Sequence, residues 1–307
     1  MDMHGLMPAH PALCRFQATD RRPHLGWWEG GTIADLTAAG SLAGATLSAL
    51  LASGTPLAAL AATLAAGAPR HDPEDVTLLA PLDLQEIWAA GVTYERSRQA
   101  RMSESGADAD VYARVYGAER PELFYKGDAR RTAGPGGEIR ARPDARWTVP
   151  EPELALLLDP GLRIAGYTIG NDVSSRDIEG ENPLYLPQAK VYSGACALGP
   201  WIVPAESVAD PYALAITCSI SRDGVEIWRD ETSTAKLHRR LDELVRYLGM
   251  ADAFPHGVFL LTGTCLVPPD SISLEPGDVV EIAIGELGML RNLVGRWPAQ
   301  RPGRDIL

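Results

Sequence analysis

The stretch from Glu151 to Asp172 constrains this chain more than any other. Two apolar runs, Leu154 to Leu158 and Ile164 to Ile169, are too short for typical helices, and Asp159-Pro160-Gly161 supplies turn chemistry between them. They read as two strands of an antiparallel hairpin whose open end is acidic. Glu151 and Glu153 stand two positions apart, so on a strand they share a face. Reversal near Pro160 and Gly161 sets residue 151 opposite about residue 170, two positions from Asp172, and so gathers three carboxylates. Such a group repels itself unless a cation sits between its members. Ligation by carboxylate oxygens alone suits a hard divalent ion, Mg2+ first, with Mn2+ or Ca2+ as alternatives. The competing reading is a solvated Glu-Pro-Glu turn beside a surface aspartate, and spacing alone slightly favours it.

The chain has 307 residues, 46% of them hydrophobic and 22% charged, enough to bury a full core in one large domain or two unequal ones. Its net charge of −12 argues against nucleic acid or an anionic membrane surface as partner, since both reward clustered Lys and Arg. A small anionic substrate stays compatible, because a metal and a few bases can set the local field. Cys14, Cys196, Cys218 and Cys265 are scattered without a CxxC pair, which predicts buried reduced thiols rather than a zinc site or disulfide framework. Met1 to Gly5 lacks the basic and apolar regions of a signal peptide, and the longest apolar stretch, Pro56 to Gly67, is short and Ala-rich. The expected location is the cytoplasm.

Residues 12–36 read as a small β meander, followed by helices over 44–53 and 56–66 and a linker from Pro69 to Glu74. This predicts a small N-terminal α+β domain over residues 1–75 and a larger domain over 76–307. After the apolar run Ile87 to Val92 comes a polar stretch to Glu119 with few anchoring residues, expected to be helix and loop in a mobile lid. Further strands are predicted at 213–221 and 226–229 around Arg222-Asp223-Gly224, at Val258 to Leu261 and at Val279 to Ile284, with a charged helix over 235–248. Strands dominate and crossover helices are few, so the fold class is α+β with a β-rich core.

Several kinds of site are excluded, since no GxSxG, HExxH, P-loop or strand-linked GxGxxG occurs. Gly134-Pro135-Gly136-Gly137 reads as a surface loop, and His238, beside Arg239-Arg240, as a solvated residue of the charged helix. Lys190 follows a Pro/Asn-rich loop and precedes an apolar run, where the chain enters the interior. A lysine there most often snorkels. Beside a metal and apolar walls, its pKa could fall far enough for acid–base chemistry. Thr262-Gly263-Thr264 ends a strand with hydroxyls, and at a pocket it could hydrogen-bond a carboxylate.

Five motifs in order are similar to those of the fumarylacetoacetate hydrolase superfamily, over roughly residues 87–295. They are Glu151-x-Glu153, the run Gly166 to Asp177, Gln188-Ala189-Lys190 with Leu198-Gly199-Pro200, Thr262-Gly263-Thr264, and Pro276-Gly277-Asp278-Val279-Val280. The resemblance implies a β-rich catalytic domain of that family's fold. It also implies Mg2+ held by Glu151, Glu153 and Asp172, a 2-oxo acid on that metal, and Lys190 as the active-site lysine. Asp177 is expected to serve structure through a hydrogen bond. The resemblance reverses the balance that spacing alone set for the carboxylates.

One departure bears on the reaction. The hydrolases and decarboxylases of the superfamily carry Asn-Tyr-x-x-His with a Glu shortly after, and here Ser97 and Ala100 stand where that His and Glu are expected. Hydrolytic C–C cleavage therefore lacks its general base. The stretches Val92 to Ser97, Arg120 to Lys126, Asp177 to Gln188 and Thr232 to Ala235 instead resemble the branch of 2-keto-3-deoxy sugar-acid dehydratases. The implied reaction is dehydration of 2-dehydro-3-deoxy-D-arabinonate to 2,5-dioxopentanoate through a metal-stabilised enolate. Lys190 and Glu122 are the candidate base and acid, with Lys190 favoured as base, and Thr264 and Arg96 are candidate anchors for polar substrate groups. An acylpyruvate or 2,4-dioxo acid hydrolase that recruits another base is the alternative, and a non-catalytic ligand-binding relative ranks below it. Relatives suggest a homo-oligomer, dimer or tetramer.

Overall fold

The computed structural model of the protein describes residues 7–39, 45–95 and 114–297. Strands β1 (Ala12–Gln17), β2 (Pro23–Glu29), β3 (Thr32–Asp35), β4 (Arg70–His71) and β5 (Thr77–Leu79) come first, with helices α1 (Leu47–Ala52) and α2 (Leu57–Ala65) among them. Next are β6 (Glu86–Gly91), β7 (Glu122–Gly127), β8 (Thr132–Ala133), β9 (Glu138–Ile139), β10 (Thr148–Val149), β11 (Pro152–Leu158), β12 (Ile164–Asp172) and β13 (Ser174–Ser175). After α3 (Arg176–Glu181) and α4 (Leu186–Lys190) the chain forms β14 (Cys196–Pro204), β15 (Ala215–Arg222), β16 (Val225–Ser233), α5 (Leu241–Leu248), β17 (Val258–Leu261), β18 (Val279–Ile284) and β19 (Met289–Val294). The result is the expected α+β, β-rich architecture.

A twelve-stranded sheet follows the path β4-β3-β2-β1-β14-β12-β11-β17-β6-β7, with β5 beside β1 and β8 beside β14. A five-stranded sheet has the order β16-β15-β18-β19-β9, and β10 pairs with β13. Strand alternation divides the interior in two. Leu154, Leu156 and Leu158 of β11 share a core with Ile216, Ile220, Ile282 and Leu290 of the five-stranded sheet. Ala155 and Leu157 point the other way, into a core with Leu50 of α1 and Leu57 and Ala61 of α2. Both faces of β11 are thus covered, which explains why its sequence is an unbroken apolar run rather than an alternating one.

The hairpin forms with a different register from the one expected. Glu153 pairs with Gly170, so residue 151 faces 172 rather than 170, and the Asp172 amide donates to the Glu151 carbonyl at 2.9 Å. The turn is wider than Asp159-Pro160-Gly161: Asp159 Oδ1 accepts the Arg163 amide at 2.9 Å, and Leu162 adopts φ 60°. The correction moves Asp172 directly opposite Glu151, so the two carboxylates share one face.

Two further elements depart from expectation. Only Leu241–Leu248 of the predicted 235–248 helix is an α-helix, with Leu241, Leu244, Val245 and Leu248 buried at helical spacing. Upstream, the Leu237 backbone bridges Tyr94 and the His238 amide donates to the Thr93 carbonyl at 2.9 Å, and these tertiary bonds override helical propensity. Strand β14, buried along all its length, is not among the predicted strands; the Gly-Pro pair at 199–200 is a local signal against a strand interior. Its pairing with β12 shifts register between Tyr167 and Ile169, which absorbs the irregularity. Around the predicted Arg222-Asp223-Gly224 turn, Asp223 and Gly224 both have positive φ, as a tight hairpin requires.

All four cysteines are buried and free. Among the described residues no helix is long and apolar enough to cross a membrane. The stretch expected to be a lid lies largely outside the described residues, which resume with a helical turn at 114–117. Truncating Leu156, fully buried between the two sheets, should lower the unfolding free energy by about 2–5 kcal/mol, read from urea denaturation midpoints at constant slope.

Candidate metal centre and active site

The acidic end of the β11–β12 hairpin is interior, against the surface reading that spacing alone favoured. Glu151 and Asp172 are each 2% exposed and Glu153 1%. One carboxylate oxygen from each lies within 4.8 Å of the others. Alternation puts Glu151 and Glu153 on the face of Ala155 and Leu157, and the corrected register adds Asp172 to it.

Three bases from three elements meet this acid group. Lys190, at the end of α4, is buried rather than snorkelling. Its Nζ donates to Glu151 Oε2 at 2.8 Å, to Asp172 Oδ2 at 3.0 Å and to Ser174 Oγ at 2.6 Å. The Ser174 hydroxyl in turn donates to the Asp172 carbonyl at 2.8 Å, and the Phe124 ring lies 5.7 Å from the ammonium. Lys126, on β7, forms an ion pair with Asp172 Oδ1 and donates to the Val173 carbonyl at 3.1 Å and the Lys190 carbonyl at 2.6 Å. Arg176 opens α3, with Nε 3.6 Å from Glu151 Oε1 and its guanidinium 5.9 Å from the Trp147 ring.

These bases serve Glu151 and Asp172 and leave Glu153 aside. Among the described residues no Lys or Arg forms an ion pair with Glu153, which accepts the Gly263 amide at 2.5 Å. Burial foremost, then the charges of Asp172 and Glu151, raises its pKa well above the usual carboxylate range, against the opposing pull of Lys190 and the Gly263 N–H. A buried carboxylate without a fixed counter-charge, within reach of two more carboxylates, fits a hard divalent cation.

The pocket above this floor is walled by Gly91 and Val92 at the end of β6, Glu122 and Phe124 of β7, Gly263 and Thr264 after β17, and Glu179 of α3. Glu122 pairs with Gly91, and its carboxylate lies so close over that glycine that a Cβ there would collide with it. Val92 then adopts φ 54°, a left-handed conformation rare for a β-branched residue and of order 1–3 kcal/mol in cost. The next residue holds it: Thr93 Oγ1 donates to the Thr262 carbonyl at 2.7 Å. Thr264 Oγ1 accepts the Leu266 amide at 3.2 Å, fixing the turn that carries it along the pocket wall.

The structure therefore brings Glu151, Glu153, Asp172, Lys190, Glu122 and Thr264 around one pocket. Arg96, the other expected anchor, lies outside the described residues, as do Ser97 and Ala100. Asp177 accepts the Arg146 amide at 2.8 Å, a loop-holding bond. Sequence reasoning gave no role to Lys126, Ser174, Arg176 or Glu179. A lysine inside an apolar strand is a rare composition that could have flagged Lys126, but nothing local marks the other three.

Residues 86–295 match the family of the fumarylacetoacetate (FAA) hydrolase C-terminal domain. The chain belongs to this family. A probable 2-keto-3-deoxyxylonate dehydratase of Haloferax volcanii is 51% identical over 214 residues, covering 70% of this chain and 73% of the relative. A 2-dehydro-3-deoxy-D-arabinonate dehydratase of Saccharolobus solfataricus is 43% identical over 219 residues, covering 70% and 74%. Among solved structures, a 2-keto-3-deoxy-D-arabinonate dehydratase complexed with magnesium and 2,5-dioxopentanoate superimposes with a TM-score of 0.78 at 33% identity, covering 92% of this chain and 98% of that one.

Thermal shift with Mg2+ against EDTA tests the floor of the site. The wild type should melt higher in Mg2+ by mass action, and Glu153→Gln should lose that difference while its EDTA melting point changes little. Lys126→Met, which frees Asp172 Oδ1 from its partner, should weaken Mg2+ binding by about 10–100-fold.

Proposed function

We propose that this chain is a metal-dependent dehydratase of a 2-keto-3-deoxy sugar acid, converting 2-dehydro-3-deoxy-D-arabinonate to 2,5-dioxopentanoate. The observation that carries this reading is the placement of Lys190 and Glu122 around one pocket whose floor is the three-carboxylate group, in a chain with Ser97 and Ala100 where hydrolytic relatives have His and Glu. The dehydratase names of the relatives support it. Those two names agree chemically in the D series. Arabinonate and xylonate differ only at carbons 2 and 3, and once carbon 2 is a ketone and carbon 3 a methylene, carbon 4 is the sole stereocentre.

Glu151, Glu153 and Asp172 would hold Mg2+, or Mn2+ or Ca2+ in its place. The bound ion would supply Lewis acidity toward the carboxylate and carbonyl oxygens of the 2-oxo acid. Lys190 is the favoured base for the carbon 3 proton, and Glu122 the acid that protonates the hydroxyl leaving carbon 4 as water. Loss of that proton and hydroxyl leaves a double bond between carbons 3 and 4. A carbon 5 proton then departs, and the resulting dienol ketonises with an aldehyde at carbon 5, so the net change is one water. Thr264 and Arg96 anchor polar substrate groups.

The family match begins at residue 86, which supports treating residues 1–75 as a small N-terminal domain and 76–307 as the catalytic one. A cytoplasmic homo-oligomer, dimer or tetramer, completes the proposal.

NMR of products from a panel of 2-keto-3-deoxy pentonates and hexonates with Mg2+ tests the reaction. One five-carbon product from the D-pentonate is expected. Two carbon fragments from an acylpyruvate, with no dehydration, would establish the hydrolase alternative. Lys190→Met and Glu122→Gln should each lower kcat by about 10²–10⁴-fold, while Glu122→Gln keeps its Mg2+-dependent melting shift.

A further inference from the structure

The chain leaves the pocket wall at Gly91 and returns to it at Glu122, and both legs of this excursion are bound to one short segment, residues 237–247. On the outgoing leg, the His238 amide donates to the Thr93 carbonyl at 2.9 Å and Leu237 bridges Tyr94. These bonds lie one and two residues beyond Val92, whose left-handed backbone needs such restraint.

On the returning leg the contacts centre on Arg239. This residue is 6% exposed, and its guanidinium spends most of its hydrogen bonds on backbone. It donates to the carbonyls of Val115 at 3.1 Å, Ala118 at 2.5 Å and Glu119 at 3.3 Å. Its remaining bond goes to Glu243 Oε1 at 2.6 Å, which fixes the fork from α5. The Val115 carbonyl also accepts the Ala118 amide at 3.3 Å, and a planar fork can engage several carbonyls at once where an ammonium cannot. The neighbourhood adds to the hold. His238 stacks on Tyr116 with centroids 4.2 Å apart, Tyr247 donates to Glu119 Oε1 at 3.3 Å, and the Arg120 guanidinium lies 5.4 Å from the Tyr247 ring. Glu122 follows three residues after Glu119 and enters β7 across Gly91.

We infer that Arg239 is a positioning residue for Glu122: by gathering the carbonyls of residues 115–119 onto α5, it sets where the Glu122 carboxylate stands over Gly91. The inference rests on the dehydratase reading, in which Glu122 contacts the substrate. Arg239 itself does not line the pocket, and its segment contributes nothing to the carboxylate floor. Loss of Arg239 therefore acts on turnover while sparing the metal.

The experiment combines kinetics, metal binding and hydrogen exchange on wild type, Arg239→Ala, Arg239→Lys, Glu122→Gln and the Glu122→Gln/Arg239→Ala double variant. Arg239→Ala should lower kcat by roughly 10²-fold, the scale of a misplaced catalytic group, with its Mg2+-dependent melting shift intact. Arg239→Lys should recover little, since it keeps the charge and loses the fork. The double variant should be no slower than Glu122→Gln beyond about twofold, because one residue acts through the other. Amide exchange in Arg239→Ala should quicken over residues 115–127 and stay as in wild type across β11 and β12. Additive kinetic losses, a lost metal response or unchanged exchange over 115–127 would each overturn the inference. Should the wild type dehydrate none of the panel, the dehydratase reading falls, and the exchange pattern still decides whether Arg239 places Glu122.

Discussion

Three carboxylates held at the buried end of one strand pair set the terms for everything around them. Each would be costly to bury alone, and together they repel. The fold answers with Lys126 from β7, well upstream of the hairpin, and with Arg176 from α3 and Lys190 from α4, just downstream of it. That compensation is uneven. Glu151 and Asp172 receive the bases, and Glu153 receives a backbone N–H. The imbalance makes the group suitable for a divalent ion and distinguishes it from a structural salt-bridge cluster, in which every acid meets a base.

The chain shows how much of such a site local patterning can reveal. Glu151 and Glu153 were legible because strand periodicity is strict, and two residues apart means one face. Asp172 was legible only roughly, because register depends on the turn, and Leu162 at positive φ widens that turn beyond its Pro-Gly signal. Strand β14 was illegible for the opposite reason: Gly199-Pro200 carries a strong local signal that long-range pairing with β12 and β1 overrides. Lys126 falls between these cases. Its strand neighbours look ordinary, and its importance comes from meeting Asp172 and the Lys190 carbonyl across the sheet, contacts that no local window contains.

The segment before α5 illustrates a second limit. Residues 235–240 have the composition of a charged helix, yet after a single 3-10 turn over Thr234–Lys236 the chain leaves helical geometry, and Leu237 and His238 bond to the backbone of residues 94 and 93. Propensity within a window has no access to a partner more than a hundred residues away. The 237–239 segment, where the pattern misleads, is also the one that ties down the chain just beyond Val92, whose backbone is left-handed.

The hairpin between Glu151 and Asp172 is almost self-contained as a source of metal-facing carboxylates: twenty-two consecutive residues, closed by a local turn, supply all three. The walls that face a substrate come from elsewhere, from β6, β7 and the turn after β17. Inheritance can therefore act on the two parts separately. Exchanges at Val92, Glu122 or Thr264 alter the pocket wall without touching the carboxylates, so a lineage can change its reaction while retaining the acidic floor. For the same reason, the carboxylate motif identifies ancestry better than substrate, and the residues that tell one reaction from another are to be sought in the walls rather than in the hairpin.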